Sequence, residues 1–233
     1  MNKYIKLLAG AVVASSLWSC SKDDEPDPTI MYYPSIELEG EEYMYLTEGA
    51  TFVDPGFTAM KDGEESNGDV VVTNNINNSK PGLYEVDYAI YNEYGYSANA
   101  TRYVMVIAEG DKASGIYEVQ PDSYRDYNGE VYYGGYQIQV IGNGDGTYYV
   151  DDIFGGWYYY RAGYGFNYAM QGEITIAADG TVTLDKAHLI GWGDSVNDFT
   201  DGRFDAATGT LSWSTSYTDN NMIFRVNMIR KDF

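Results

Sequence analysis

The chain has 233 residues, 44% of them hydrophobic, enough apolar material for one large domain or two small ones. Its 35 Asp and Glu outnumber 14 Lys and Arg, giving a net charge of -21. Such a field repels phosphate backbones and anionic lipid surfaces, which excludes nucleic acid as a partner and membrane attachment through a basic face.

Residues 1-19 read as a signal peptide. Lys3 and Lys6 lie ahead of a short apolar stretch that begins at Leu7 to Val13 and is too short to span a bilayer. Leu17-Trp18-Ser19-Cys20 follows and resembles the lipobox of bacterial lipoproteins. That resemblance implies cleavage before Cys20 and a diacylglycerol on its thiol, so the expected membrane partner is reached through an N-terminal lipid. Cys20 is the one cysteine, so no intrachain disulfide can form. Cys20-Ser21-Lys22-Asp23-Asp24-Glu25 resembles the export signal of Bacteroidetes surface lipoproteins, which implies an outer-membrane protein facing the cell exterior. The same charge run, with Pro26 and Pro28, also makes a solvated tether over residues 20-29.

Residues 30-109 show short punctuated strands, predicted at Ser35 to Leu38, Tyr43 to Leu46, Val70 to Thr73, Gly82 to Tyr91 and Thr101 to Ile107. In the fourth, Tyr84, Val86, Tyr88 and Ile90 form the apolar side with Glu85 and Asp87 opposite, the period of a half-buried strand. Several such strands at short intervals predict a β-sandwich. The residues Asp54-Pro55-Gly56, Ala59, Asp62-Gly63, Pro81-Gly82, Tyr84, Tyr88, Gly95, Arg102, Val104 and Val106 resemble a family of bacterial immunoglobulin-like domains of extracellular proteins. The resemblance implies a spacer or adhesion module. The chain departs from the family's Asp-x-x-Gly-Asn turn, having Asn92-Glu93-Tyr94-Gly95-Tyr96 instead.

Glu109-Gly110-Asp111-Lys112 reads as a hinge, and from 113 to 233 the strands lengthen and tyrosines become denser. Turns at Asn143-Gly144-Asp145-Gly146 and Asp179-Gly180 tolerate positive φ and predict two-stranded hairpins. Thr210 to Tyr217 alternates Leu211, Trp213, Thr215 and Tyr217 with serines, and Met222 to Arg230 closes the chain as a strand. An antiparallel meander of about eight strands predicts an all-β domain. An up-and-down barrel removes its edges, and a two-sheet sandwich is the alternative. Ser114-Gly115-Ile116-Tyr117 resembles the opening Gly-x-aromatic of lipocalin-like barrels, which implies that Arg225 or Arg230 on the last strand stacks upon it. The pairing of the two domains behind a lipid anchor resembles a family of Bacteroides lipoproteins, and that resemblance carries no active site.

Little here suggests catalysis or a cofactor. His188 is the one histidine, which argues against a histidine zinc site or a Ser-His-Asp triad, and a cysteine site is not available. The acidic turn at Asn143 to Gly146 ahead of Asp151-Asp152 lacks a carboxylate at the first calcium position, where Ile141 stands, so it reads as a hairpin turn. Glu130, Glu173, Asp194 and Asp198 are available for a carboxylate pair of the glycosidase kind, with no motif behind them.

The feature that points to function is aromatic. Phe154, Trp157, Tyr158, Tyr159, Tyr160, Tyr164, Phe166 and Tyr168 crowd residues 154-168 among glycines, and Gly191-Trp192-Gly193-Asp194 is a second such piece. Flat rings with polar tips suit sugars and protein interfaces alike. Read as a strand, 157-160 places Trp157 and Tyr159 on one face and Tyr158 and Tyr160 on the other. Glycine neighbours are expected to leave Trp157 and Trp192 uncovered, whereas Trp213 is expected in the core. The expectation is a non-catalytic binding module for oligosaccharide, beside an outer-membrane uptake complex. Trp157, Tyr158, Tyr159, Tyr160, Tyr164, Trp192 and Asp194 would be its ligand-binding residues. The alternatives are a structural or adhesion protein with a protein-binding head, and a glycoside hydrolase.

Overall fold

A computed structural model describes residues 31-231. Cys20, the tether and the signal peptide lie outside the described residues. The first seven strands are β1 (Ser35–Leu38), β2 (Tyr43–Thr47), β3 (Phe57–Lys61), β4 (Glu64–Glu65), β5 (Val71–Asn74), β6 (Gly82–Tyr91) and β7 (Ser97–Ile107). They form two sheets, ordered β1-β3-β4 and β2-β7-β6-β5, with β2 parallel to β7. The inward residues of β6 and β7, among them Val86, Tyr88 and Val104, are buried against Leu38, Phe52 and Phe57, which makes the sandwich.

The immunoglobulin-like signature residues converge on one buried guanidinium. Arg102 is fully buried and donates to the carbonyl oxygens of Glu39 (2.8 Å), Gly56 (2.9 Å) and Glu41. Its Nε lies 3.5 Å from Asp54 Oδ1, and Asp54 Oδ2 accepts the Tyr88 hydroxyl at 2.6 Å. Arg102 therefore ties β7 to the loop after β1 and the loop before β3 and has its charge neutralised, as a buried cation requires. The divergent turn works through Asn92, whose side-chain oxygen accepts the N–H groups of Tyr94 and Tyr96 (3.1 and 2.9 Å).

The remaining strands are β8 (Gly115–Val119), β9 (Ser123–Asp126), β10 (Glu130–Tyr133), β11 (Gln137–Gly142), β12 (Thr147–Val150), β13 (Met170–Ile176), β14 (Val182–Leu189), β15 (Asp198–Asp205), β16 (Thr210–Tyr217) and β17 (Met222–Arg230). They share one antiparallel sheet. From β8 the sheet runs one way through β11, β12 and β13 to β14, and the other way through β17 and β16 to β15. It curls into a half-barrel whose edge strands β14 and β15 do not pair as strands but touch near one end, bridged at Thr181–Arg203 and by Phe204 N–H to the Gly180 carbonyl (2.8 Å). Here the backbones approach so closely that a Cβ on Gly202 would lie 2.2 Å from the Val182 carbonyl oxygen. The β9–β10 hairpin hangs on β17. This is the barrel-like form rather than the two-sheet alternative.

Last strand pairs with first, and Arg230 rather than Arg225 covers the opening glycine. The Arg230 stem passes where a Gly115 Cβ would stand, with its nearest carbon 2.6 Å from that position, and its guanidinium donates to the Lys112 carbonyl. The interior is filled. Trp213 is 1% exposed and donates its indole N–H to the Ile153 carbonyl at 2.8 Å, among Tyr117, Phe154, Phe224 and Val226. The two sandwich sheets and the curled sheet share no strand, and they touch through Tyr45 on β2. Its hydroxyl accepts Ile116 N–H at 3.1 Å and donates to the Lys231 carbonyl at 3.4 Å.

Candidate binding site

The two ends of the barrel differ. At one end the strands are joined by tight turns at 143-146, 177-181 and 206-209. At the other stand the long connections 151-169 and 190-197 and the turn 218-221. The aromatic residues singled out in the sequence all belong to this long-loop end.

Asp152 organises the longest loop. Its Oδ1 accepts the N–H groups of Phe154 (2.9 Å) and Met170 (3.2 Å), and its Oδ2 that of Gly156 (3.1 Å). One side chain thus joins the start of the loop to its end. Burial pushes this carboxyl up to about 7, against the three N–H donors, which pull it down. Asp151 beside it accepts Gln139 N–H (2.9 Å), and burial pushes it up to about 8.

Gly155 and Gly156 sit at φ 61 and 84, left-handed values that let the chain reverse without Cβ strain. The reversal sends Phe154 and Trp157 into the barrel mouth. Phe154 stacks on Phe224 with centroids 4.1 Å apart, and Trp157 meets Tyr133 edge-on at 5.1 Å. Residues Trp157–Arg161 then form a wide helical turn, with Arg161 N–H bonded to the Gly156 carbonyl and Ala162 N–H to that of Trp157. The strand alternation expected for 157-160 is therefore replaced by a helical turn.

Two expectations are corrected by this local geometry. Trp157 is 5% exposed and belongs to the core, because its glycines turn the ring inward instead of baring it. Tyr158 is likewise buried except at its rim, its hydroxyl against the Met222 sulfur at 3.3 Å. Tyr159 is half-buried and stacks on Tyr160 at 3.8 Å, while Tyr160 is exposed and stacks on Tyr136 at 5.3 Å.

Trp192 does stand in solvent, 45% exposed. Its loop is fixed by Gly193 N–H to the Leu189 carbonyl (2.8 Å), and by Gly191 N–H to the Asn167 carbonyl (2.7 Å) across to the longer loop. Trp192 lies nearly perpendicular to Tyr158 (4.9 Å, 86°) and Tyr164 (6.0 Å, 85°), which are roughly parallel to each other at 6.1 Å. Tyr168 closes the group at 5.0 Å from Trp192. Asp194 is exposed at the edge of this cluster and accepts the Tyr217 hydroxyl at 2.6 Å. Burial and Asp194 both raise the Tyr217 pKa, so the phenol stays a donor. The two long connections expose the rings of Tyr160, Tyr164, Phe166 and Trp192.

Two basic residues complete the surface, and nothing in the sequence marked them. The guanidiniums of Arg125 on β9 and Arg161 lie over the Trp157 ring, 4.6 and 4.3 Å from its centroid. The acids considered for a catalytic pair each have a local partner. Glu130 accepts the Tyr132 hydroxyl (2.7 Å), Glu173 pairs with Lys186 (3.0 Å), and Asp198 accepts Phe199 N–H (2.9 Å). Among the described residues no group of three or more His, Cys, Asp or Glu is placed to hold a metal ion. A depression of about 700 Å³ lies at the tight-turn end, lined by Lys112, Tyr148, Asp179, Arg203 and Asp205. It mixes both charges and presents no exposed ring, so the long-loop end is the stronger candidate.

Comparison with known proteins gives the chain its kin. A family model described as a bacterial surface protein Ig-like domain matches residues 36-106. The crystal structure of the lipoprotein BT2262 from Bacteroides thetaiotaomicron superposes with a TM-score of 0.75 at 36% identity, covering 85% of this chain and 100% of that one. The chain belongs to the BT2262 family. A second family model, described as a C-terminal domain, matches residues 108-230, the whole curled sheet. No curated protein matches the chain. Kinship with BT2262, itself named as a lipoprotein, together with the surface-type Ig-like domain, makes the chain a surface-lipoprotein homologue of the cell surface.

Proposed function

We propose that the protein is a non-catalytic glycan-binding lipoprotein of the outer membrane. It is anchored through Cys20 with its immunoglobulin-like domain as spacer, faces the cell exterior, and operates beside an uptake complex. One observation carries the reading. The two long connections of the barrel converge at one end to present Trp192 and Tyr164 at right angles, with Asp194, Tyr168 and the Tyr217 hydroxyl around them. Ring faces take the CH faces of a sugar, and the polar groups take its hydroxyls. Trp192, Tyr164, Tyr160 and Asp194 are the contact residues of this reading. Trp157, Tyr158 and Tyr159 hold the others in place.

A glycan array probed with the full chain in detergent tests it. Binding that falls at least tenfold in Trp192→Ala supports the reading, and an array on which no glycan binds overturns it. A second reading, a protein-binding head, draws on the same exposed rings Tyr160, Tyr164, Phe166 and Trp192, because aromatic side chains with polar tips also suit a protein partner.

A further inference from the structure

We propose that Arg125, Arg161 and the Trp157 ring between them in the sequence form a subsite for an anionic group, the carboxylate or sulfate of an acidic sugar; this rests on the glycan reading above. The chain carries 14 basic residues against 35 acidic ones, so two guanidiniums gathered on one ring stand apart from the acidic majority. Among the described residues neither Arg125 nor Arg161 has a carboxylate within 4.0 Å, although Lys61, Arg102 and Lys186 do. Instead both are brought over one indole, from β9 and from the helical turn, 36 positions apart in the chain.

Stacking on a ring fixes a guanidinium's plane and leaves its in-plane N–H groups free, and these match carboxylate and sulfate oxygens two at a time. The Nε of Arg125 is buried and has no hydrogen-bond acceptor among the described residues. Arg161 is exposed and can meet a ligand directly. The pair also adjoins the aromatic corner. Tyr158, next in the chain to Trp157, feels the charge of Arg125 and makes the 4.9 Å contact with Trp192. A sugar ring against Trp192 and Tyr164 would thus have two cations beside it on an otherwise acidic molecule. The overall field of -21 discourages stray polyanions, so recognition has to come from these two fixed groups.

The test is titration calorimetry on the full chain in detergent with two matched pairs. The pairs are a galacturonate hexamer with its neutral methyl ester, and a sulfated with an unsulfated dextran oligosaccharide. The expected result is at least tenfold tighter binding of one anionic member over its neutral counterpart, with Arg161→Gln and Arg125→Gln abolishing that preference. The pair that responds tells carboxylate from sulfate. Arg161 is exposed, so its variant reports even if Arg125→Gln unfolds. Equal binding of charged and neutral members, lowered by Trp192→Ala and untouched by Arg161→Gln, overturns this subsite and leaves the glycan reading standing. No binding of any of the four overturns the subsite, and a blank glycan array would then overturn the glycan reading as well.

Discussion

Replacing Asp152 by alanine removes the acceptor of three buried N–H groups at once, those of Phe154, Gly156 and Met170 at 2.9, 3.1 and 3.2 Å. No water reaches this site readily, because Asp152 and its neighbours Ile153 and Phe154 are buried. An orphaned buried donor costs about 1–3 kcal/mol, so three would cost several. Part of that returns, because the variant no longer buries a carboxyl whose pKa has been pushed up to about 7. The net expectation at pH 7 is a loss of about 2–4 kcal/mol. Phe154 and Trp157 hang directly on this turn, so their near-UV circular dichroism should weaken in the folded protein too. Urea unfolding followed by both far-UV and near-UV signals measures it. A variant within about 0.5 kcal/mol of wild type, with its aromatic spectrum unchanged, would refute the idea that Asp152 assembles the loop.

Three further outcomes follow from the same geometry. Asp151→Asn keeps an oxygen for Gln139 N–H and removes a group whose folded pKa of about 8 lies above the ordinary carboxylate value. The stability Asp151 contributes is fully present below the unfolded pKa and lost as pH rises through about 8, so between pH 5 and 7 the variant's stability should fall with pH less steeply than wild type's, by up to about 1.4 kcal/mol per pH unit in urea titrations. Trp213→Ala opens a core cavity and should cost about 3–5 kcal/mol, whereas Trp192→Ala at a 45% exposed site should cost under about 1 kcal/mol; thermal melts of the two order them. Arg102→Met strands Asp54 and three carbonyl groups in the sandwich and should cost about 3–5 kcal/mol by urea unfolding, a loss that Arg102→Lys would only partly restore.

Much of the strand framework was legible because its signals are local. β1, β6, β16 and β17 end where alternation and turn residues say they should. β3 was not, since Phe57–Lys61 alternates weakly and earns its place by pairing with β1. The resemblance picked out Asp54, Tyr88 and Arg102, and these turn out to be one hydrogen-bonded group. The failure at 157-160 has a plain cause. Tryptophan and tyrosine favour strands, but two left-handed glycines and the Asp152 carboxyl impose a helical turn that propensity cannot report. Glycine neighbours uncover the ring at Trp192, where the loop projects, and not at Trp157, where it folds back. Arg125 and Arg161 carried no signal at all, because what joins them is a ring contact between distant parts of the chain.

The measurement that bears most directly on the account is a comparison of the barrel's two ends. The affinity of the full chain for its tightest array glycan would be measured by calorimetry in wild type, in Trp192→Ala with Tyr164→Ala, and in Arg203→Ala at the tight-turn end. The account predicts at least a tenfold loss in the double variant, about 1.4 kcal/mol or more, and no change in Arg203→Ala. Affinity kept in the double variant and lost in Arg203→Ala would place recognition at the other end and contradict it.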